Sequence, residues 1–548
     1  MLELQLISAM DKVFPTGKNR MYSCRGGVML KNEQFSFQAA FRLTGEDVFP
    51  TGIRVQVVSA QPMHVQIFEV RCVPCERPAF PEQTDALRRD PGFFPDALMP
   101  LTSDVVRCIP GYWKSLWLLI DGCPSPGHYR IGVTVQAGSE SASDSFSLEV
   151  LPAELPDDCG LLASQWLHGD CIAQQHGAEV FSERWWTLVE QYLCTAAHFG
   201  LNTILTPIFT PPLDTAVGSY RTPVQLVEVT VTQDGYRFFF SRLERWVCLC
   251  RRCGMTHFEL SHLFTQWGAK AAPQILAVCN GTVRRLFGWE DAAQSPRYQA
   301  FLAAFLPELY RCLLRLDVVP CTFLHISDEP EEQAMEQYAA CVRLVRQYLP
   351  GVPILDAMSS PEIWMRSGID VPVVALDHMD EFLPHNPSQL WGYYCWVQHR
   401  GVSNRFFSMP SAVCRIFGIQ AYLYGLTGFL HWGYNFYNSQ LSSSAVDPWQ
   451  ITDAGGAFPG GDCFSVYPAP DGCLCSIRLL VFAQALEDYR ALRLLEQMNG
   501  RDAALRLIAR HLGSITWTQY PRTAAPYLAF RQALDRILTA GAEKNSPL

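Results

Sequence analysis

The chain has 548 residues, of which 49% are hydrophobic and 18% charged, and a net charge of -10. That composition is globular rather than disordered, and the length calls for more than one domain. The negative charge supplies no attraction for phosphate, which argues against a nucleic-acid or anionic-membrane partner.

The N-terminus, Met1 to Ile7 with Glu3 inside it, has no basic stretch leading into an apolar one and predicts no signal peptide. No apolar run approaches the length of a membrane span. The 20 cysteines then read as reduced thiols in a cytoplasm, used as small hydrophobes. Cys72 and Cys75 make one lone CxxC with no second pair at finger spacing. Cys248, Cys250 and Cys253 do not share one helical face and read as packing. No metal and no cofactor is expected.

In chain order, residues 1–155 predict an all-β domain. Runs such as Gln34 to Phe41, Arg54 to Val58, His128 to Val135 and Ser145 to Val150 alternate in polarity between Gly/Pro turns, as in a β-sandwich. Leu151 to Asp158 reads as a linker. From 156 to 500 strands alternate with helices. Strands are predicted at 161–168, 202–206, 256–261, 321–327, 353–358, 371–376, 390–395 and 428–432. Helices are predicted from Ser182-Glu183, near 241–253, near 296–315 and over 474–498. Eight such strands imply a closed (β/α)8 TIM-type barrel, so the fold class is α/β. Residues 501–548 form a C-terminal helical extension, with Lys544 to Leu548 frayed.

The most informative run is His325-Ile326-Ser327-Asp328-Glu329-Pro330. It closes the apolar fourth strand and sets two adjacent carboxylates where a barrel enzyme keeps its chemistry. Pro330 predicts an extended Glu329 and the end of the strand. Polar and aromatic residues close other strands as well: His168 and Asp170, Asp214 in the stiff Pro-rich loop after strand two, His262 and Trp267, and Asp377. Trp391, Tyr393 and Tyr394 lie in strand seven, with Trp432 and Asn435 after strand eight. Together with His325 these are candidate substrate-binding residues, in a pocket with stacking faces and a few hydrogen-bonding groups.

Several runs carry a family resemblance: His325 to Pro330, Trp391 to Cys395, Gly428 to Asn435, Gly461 to Pro468, Ser476 to Leu479 and Ala485 to Tyr489. They resemble glycoside hydrolase family 123 and its uncharacterised relatives over roughly residues 160–500. The resemblance implies a retaining β-N-acetylgalactosaminidase in which the sugar's own 2-acetamido oxygen attacks the anomeric carbon. On that resemblance Asp328 orients the acetamido group and stabilises an oxazolinium, and Glu329 is the catalytic acid and then base. The chemistry of the pair agrees. A protein nucleophile needs two carboxyls ~5 Å apart across the anomeric carbon, and sequence neighbours in a strand point to opposite faces. When the substrate supplies the nucleophile, both can approach from one edge. The implied partner is an oligosaccharide or glycoside, imported if the protein is cytoplasmic; the sequence leaves the oligomeric state open.

Two other readings compete. A metal-dependent hydrolase would draw on His168, Asp170, His262, His325 and His378 at strand ends, although neither a His-x-His after strand one nor a His-Glu-x-x-His helix is present. A non-catalytic carbohydrate-binding protein would keep the barrel without the chemistry, but a binder has no need of the intact acid pair.

Overall fold

The computed structural model describes residues 1–45, 51–122, 124–158, 160–330 and 332–545. Its N-terminal region is β-rich and holds two five-stranded sheets. The first runs in the order Leu2–Ser8, Phe35–Leu43, Lys114–Ile120, Val65–Cys75, Gly92–Pro100. The second runs Gly26–Lys31, Glu140–Glu154, Gly127–Ala137, Thr51–Ser59, Val105–Cys108. Alternation decides which side of each strand is buried: in Gly127–Ala137 the residues Tyr129, Ile131, Val133 and Val135 are buried and their neighbours are less so. These side chains and Phe37, Phe41, Leu116 and Leu118 of the other sheet share one apolar cluster. Phe37 stacks on Phe146 across it, with ring centroids 4.1 Å apart. Strand Glu140–Glu154 runs on through the first half of the expected linker.

Eight parallel strands follow, Leu162–Gln165, Thr203–Thr206, His257–Leu260, Thr322–Leu324, Leu355–Met358, Val371–Ala375, Trp391–Tyr393 and Gly428–His431. Numbered one to eight, they are ordered 4-3-2-1-8-7-6-5. A parallel bridge between Leu324 and Ile354 joins the fourth strand to the fifth and nearly closes the barrel. The ladder strands are shorter than the sequence predicts. The fourth ends at Leu324, because Ile326 and Ser327 give their N–H groups to the Asp356 carboxylate instead of to a neighbouring strand. Trp166, Leu205, Phe323, Leu355, Val373, Trp391 and Leu430 fill the interior, so the barrel is a packed core rather than a pore.

Residues 207–240, read from the sequence mostly as loop, include the hairpin Glu228–Thr232 and Gly235–Phe239. Ile275–Cys279 and Thr282–Phe287 extend it to a four-stranded sheet. Helix Ser411–Tyr424 packs on helix Ile477–Asn499 at Gly418, where a side chain would land on the Ala485 carbonyl. Beyond it lie helices Arg501–Leu512 and Ala524–Asn545. Arg531 of the last helix reaches Glu33 of the β-rich region at 3.0 Å and Asp488 of Ile477–Asn499 at 3.2 Å, joining three parts of the chain at one buried cation. Among the described residues no helix is long and apolar enough to cross a membrane.

Candidate active site

The barrel mouth holds a cavity of about 150 Å³ lined by Trp166, Asp214, Gln266, Trp267, His325, Asp328, Glu329, Tyr393, Trp396, Trp432 and Phe458, among others. The acid pair reaches it through a turn that the sequence reading did not anticipate. Glu329 is not extended. Its φ is +43°, and holding a non-glycine residue there costs on the order of 1–3 kcal/mol. Pro330 disfavours the right-handed helical region for the residue before it, and the left-handed turn brings both carboxylates to one cavity instead of opposite faces.

The loop after the third strand cradles this turn. Trp267 N–H donates to the Asp328 carbonyl at 2.8 Å, Ala269 N–H to Ser327 Oγ at 3.1 Å, and Ser327 Oγ–H to the Thr265 carbonyl at 2.7 Å. Gln266 Nε2 donates to Asp328 Oδ2 at 3.1 Å. Burial first, and then the neighbouring Glu329 carboxylate, push the Asp328 carboxyl up to about 7. Tyr393 Oη–H donates to Glu329 Oε1 at 2.7 Å. Beneath the pair, His325 contacts Glu259 and Asp356.

Aromatic side chains make the walls. Trp432 donates its indole N–H to Asp462 Oδ2 at 3.1 Å and meets Phe458 edge-on at 5.6 Å. Phe458 stacks on Trp396 at 5.8 Å, which is 38% exposed at the rim. Phe80 of the β-rich region lies 6.2 Å from Trp396, so that region reaches the edge of the site. Asp462, pushed up to about 7 chiefly by burial, is placed by Arg478. That guanidinium pairs with Asp96 through two 2.8 Å bonds and donates to the Gly461 and Phe464 carbonyls.

The structure brings Asp214, Trp267, His325, Asp328, Glu329, Tyr393 and Trp432 together. Burial raises Asp214 to about 6, and its Oδ2 accepts the Leu441 N–H. The remaining predicted residues stand off the cavity. Trp391 is fully buried in the barrel interior against Phe323, because it begins its strand rather than ending it. Tyr394 is buried on the outward side against Phe429 and His431. Asp377 is exposed and accepts a hydrogen bond from Gln398. His262 stacks behind His325.

His168 and Asp170 belong to a buried cluster around Arg221, which holds Asp170 at 2.7 and 2.8 Å and lies 3.1 Å from His168 Nδ1. Burial and the Arg221 charge depress His168 to about 3. Asn435 clamps the His168 backbone in both directions. This cluster backs the cavity, since His168 Nε2 is 2.8 Å from the Trp432 carbonyl. Sequence reasoning passed over Trp166, Glu259, Gln266, Asp356, Trp396, Phe458 and Asp462. For Glu259 and Asp356 a signal existed: a lone carboxylate inside an apolar strand has to be satisfied by something in the interior.

The five residues of the metal reading do not converge. His168 and Asp170 face a guanidinium, and His378 lies 3.5 Å from Glu381. His262, His325 and Asp356 bring donor atoms within 4.8 Å of one another. Both His325 nitrogens, however, are engaged by carboxylates at 2.8 and 3.1 Å, which leaves neither of them for a metal. None of these residues is assigned as a metal ligand.

A nearly closed parallel barrel with two acids at one strand end, walled by tryptophans, is an arrangement that suits a barrel glycosidase. A family model, glycoside hydrolase 123 catalytic domain, matches residues 166–495. The chain belongs to glycoside hydrolase family 123. It is similar over 99% of its length to 98% of a family 123 glycoside hydrolase from Clostridium perfringens, whose structural analysis addressed glycolipid glycan hydrolysis, with a TM-score of 0.73 and 14% identity. More distant are a β-glucuronidase from Parabacteroides merdae (TM-score 0.34, 10% identity, 89% of this chain and 51% of that one) and a family 5 mannosidase from Rhizomucor miehei (0.33, 12%, 68% and 97%). No curated protein matches the chain in sequence.

Proposed function

We propose that the protein is a retaining glycosidase acting on terminal β-linked 2-acetamido sugars, β-N-acetylgalactosaminides foremost, with the acetamido group as nucleophile. The observation that carries this reading is the turn at Glu329, which sets two sequence-adjacent carboxylates in one cavity. Among the described lining residues there is no Lys or Arg, which fits an uncharged sugar.

The steps follow from the positions. Glu329, oriented by Tyr393, donates its proton to the glycosidic oxygen as that bond breaks. The acetamido oxygen closes on the anomeric carbon, and Asp328, steadied by Gln266, accepts the acetamido N–H and balances the oxazolinium charge. Water then attacks the anomeric carbon and gives its proton to Glu329. The oxazoline ring opens, and the product keeps its β configuration. Trp432 offers a face to the glycone, and Trp396 lies toward the aglycone. We read the N-terminal sheets as a β-sandwich that completes the rim through Phe80, and the free thiols of the described cysteines as fitting a cytoplasmic protein.

The test is a set of aryl β-glycosides that differ only at C2. Activity should require the 2-acetamido group and fall steeply as its oxygen is weakened by fluorination, and a thiazoline analogue should inhibit competitively. Equal rates on 2-hydroxy and 2-acetamido substrates would sink the reading. A second reading draws on Asp214, the other carboxylate in the cavity, as a protein nucleophile. A 2-fluorosugar adduct mapped to Asp214 would establish it in place of the first.

A further inference from the structure

Beneath the acid pair, buried groups from three barrel strands form one connected set. His325 Nε2 lies 2.8 Å from Glu259 Oε2, and its Nδ1 lies 3.1 Å from Asp356 Oδ1. Glu259, His325 and Asp356 are 0%, 1% and 0% exposed. Asp356 also binds the chain that leads into the acids. Its Oδ2 accepts the N–H groups of Ile326 and Ser327 at 3.2 and 3.0 Å, together with the hydroxyl of Tyr338. Glu259 Oε2 accepts the indole N–H of Trp166, a wall of the cavity, at 3.0 Å.

An imidazole with a carboxylate at each nitrogen can donate to both only as the doubly protonated cation. A neutral ring would turn a lone pair toward one of the carboxylates. Burial by itself would lower the His325 value, but the bonds to Asp356 and Glu259 outweigh it and carry the ring up to about 9. The adjacent His262, 4.5 Å away, has no hydrogen-bond partner on either nitrogen among the described residues. Burial and then the His325 charge hold it well below its ordinary value.

We infer that His325, as an imidazolium clamped between Glu259 and Asp356, is a positioning residue for Asp328 and Glu329. It holds Asp356, which anchors the backbone that enters their turn, and it supplies a positive charge that favours an ionised Asp328. The inference rests on the roles proposed above for the acid pair. Among the described residues four titratable groups face His325: Glu259 on the third strand, His262 on the loop after it, Asp356 on the fifth strand, and Asp328 three residues along its own chain; Tyr338 on helix Met335–Arg346 stands behind Asp356. Without the imidazolium, Asp328 would keep the neighbouring Glu329 and Asp356 carboxylates but lose the His325 counter-charge, and its carboxyl would rise further.

Two measurements on the full-length protein test this. In His325→Gln the acidic limb of kcat/KM should move to higher pH by about one unit, so that activity lost near pH 6.5 is partly recovered by pH 8. A uniform loss at every pH, with the limb unmoved, would reduce His325 to a structural role and overturn the inference. Neutron diffraction of the unmutated protein at pH 7.5 needs no variant to fold: deuterium on both His325 nitrogens is expected, and deuterium on only one overturns the clamp. If the unmutated protein hydrolyses no glycoside, the proposed function fails by itself, and the neutron result still judges the charge on His325.

Discussion

Tyr393, at the end of the seventh barrel strand, donates its hydroxyl to Oε1 of Glu329 at 2.7 Å, across the mouth from the turn after the fourth strand. The bond selects one carboxyl oxygen and leaves the other for the proton that the proposed mechanism assigns to Glu329. Tyr393→Phe should therefore lower kcat/KM by about three- to tenfold, the worth of one hydrogen bond, and more on poor leaving groups than on activated aryl glycosides. Glu329→Gln should cost about 10² to 10⁴ in turnover, again graded by leaving group. A loss independent of leaving group, across an aryl series, would remove Glu329 from the role of acid.

Asp328 links activity to stability with opposite signs. Its carboxyl is raised from 3.8 to about 7 in the fold, so between those values the native state binds more protons than the unfolded state. Its contribution to stability is therefore greatest below about pH 4 and is lost as pH rises to about 7. Asp328→Asn should remove that loss, with a Tm at pH 8 higher by about 1–3 °C and a smaller gain at pH 5, while kcat collapses at both. A variant less stable than the parent at pH 8 would mean that the ionised carboxylate is well accommodated in the fold.

Trp432 and Trp391 should part company. Trp432 lines the cavity and is only partly buried; truncation to Ala should weaken a bound sugar by about 1–3 kcal/mol, roughly ten- to hundredfold in Kd, with a modest fall in Tm. Trp391 fills the barrel interior, and its truncation should cost about 3–5 kcal/mol of stability and leave the affinity of the folded fraction unchanged. Calorimetric titration beside thermal melts separates the two.

Asp462 should act through Trp432. Asp462→Asn keeps an acceptor for the indole N–H and should leave sugar affinity within about threefold, whereas Asp462→Leu should lose about as much affinity as one buried hydrogen bond is worth, about 0.5–1.5 kcal/mol. Equal affinities for the two variants would show that the Trp432 orientation is set by Phe458 and Phe436 alone.

Gly418 carries a prediction about the fold alone. A methyl there would meet the Ala485 backbone carbonyl, which cannot rotate away as a side chain would, so Gly418→Ala should destabilise by about 1–3 kcal/mol or more. The loss should appear in denaturant melts with KM unchanged in the folded fraction.

The alternating strands of the β-rich region, the eight parallel strands and the family resemblance were all legible in the sequence, because hydrophobic period and strand-end chemistry are local properties of the chain. So was the place of His325 to Pro330 at the barrel mouth, where two carboxylates follow an apolar run. What the sequence could not decide was which side of the barrel wall each residue faces. Trp391 and Tyr394 sit beside Tyr393, yet only Tyr393 reaches the cavity, since adjacent strand residues point oppositely and depth depends on where the ladder begins. His168, Asp170 and Asn435 looked like site residues until Arg221, 51 residues beyond Asp170, gathered them into a buried cluster. The left-handed turn at Glu329 depends on hydrogen bonds from a loop more than 60 residues earlier, and the clamp on His325 needs carboxylates from two other strands. Such contacts are set by barrel closure, which brings distant segments within bonding distance, and no local pattern records them.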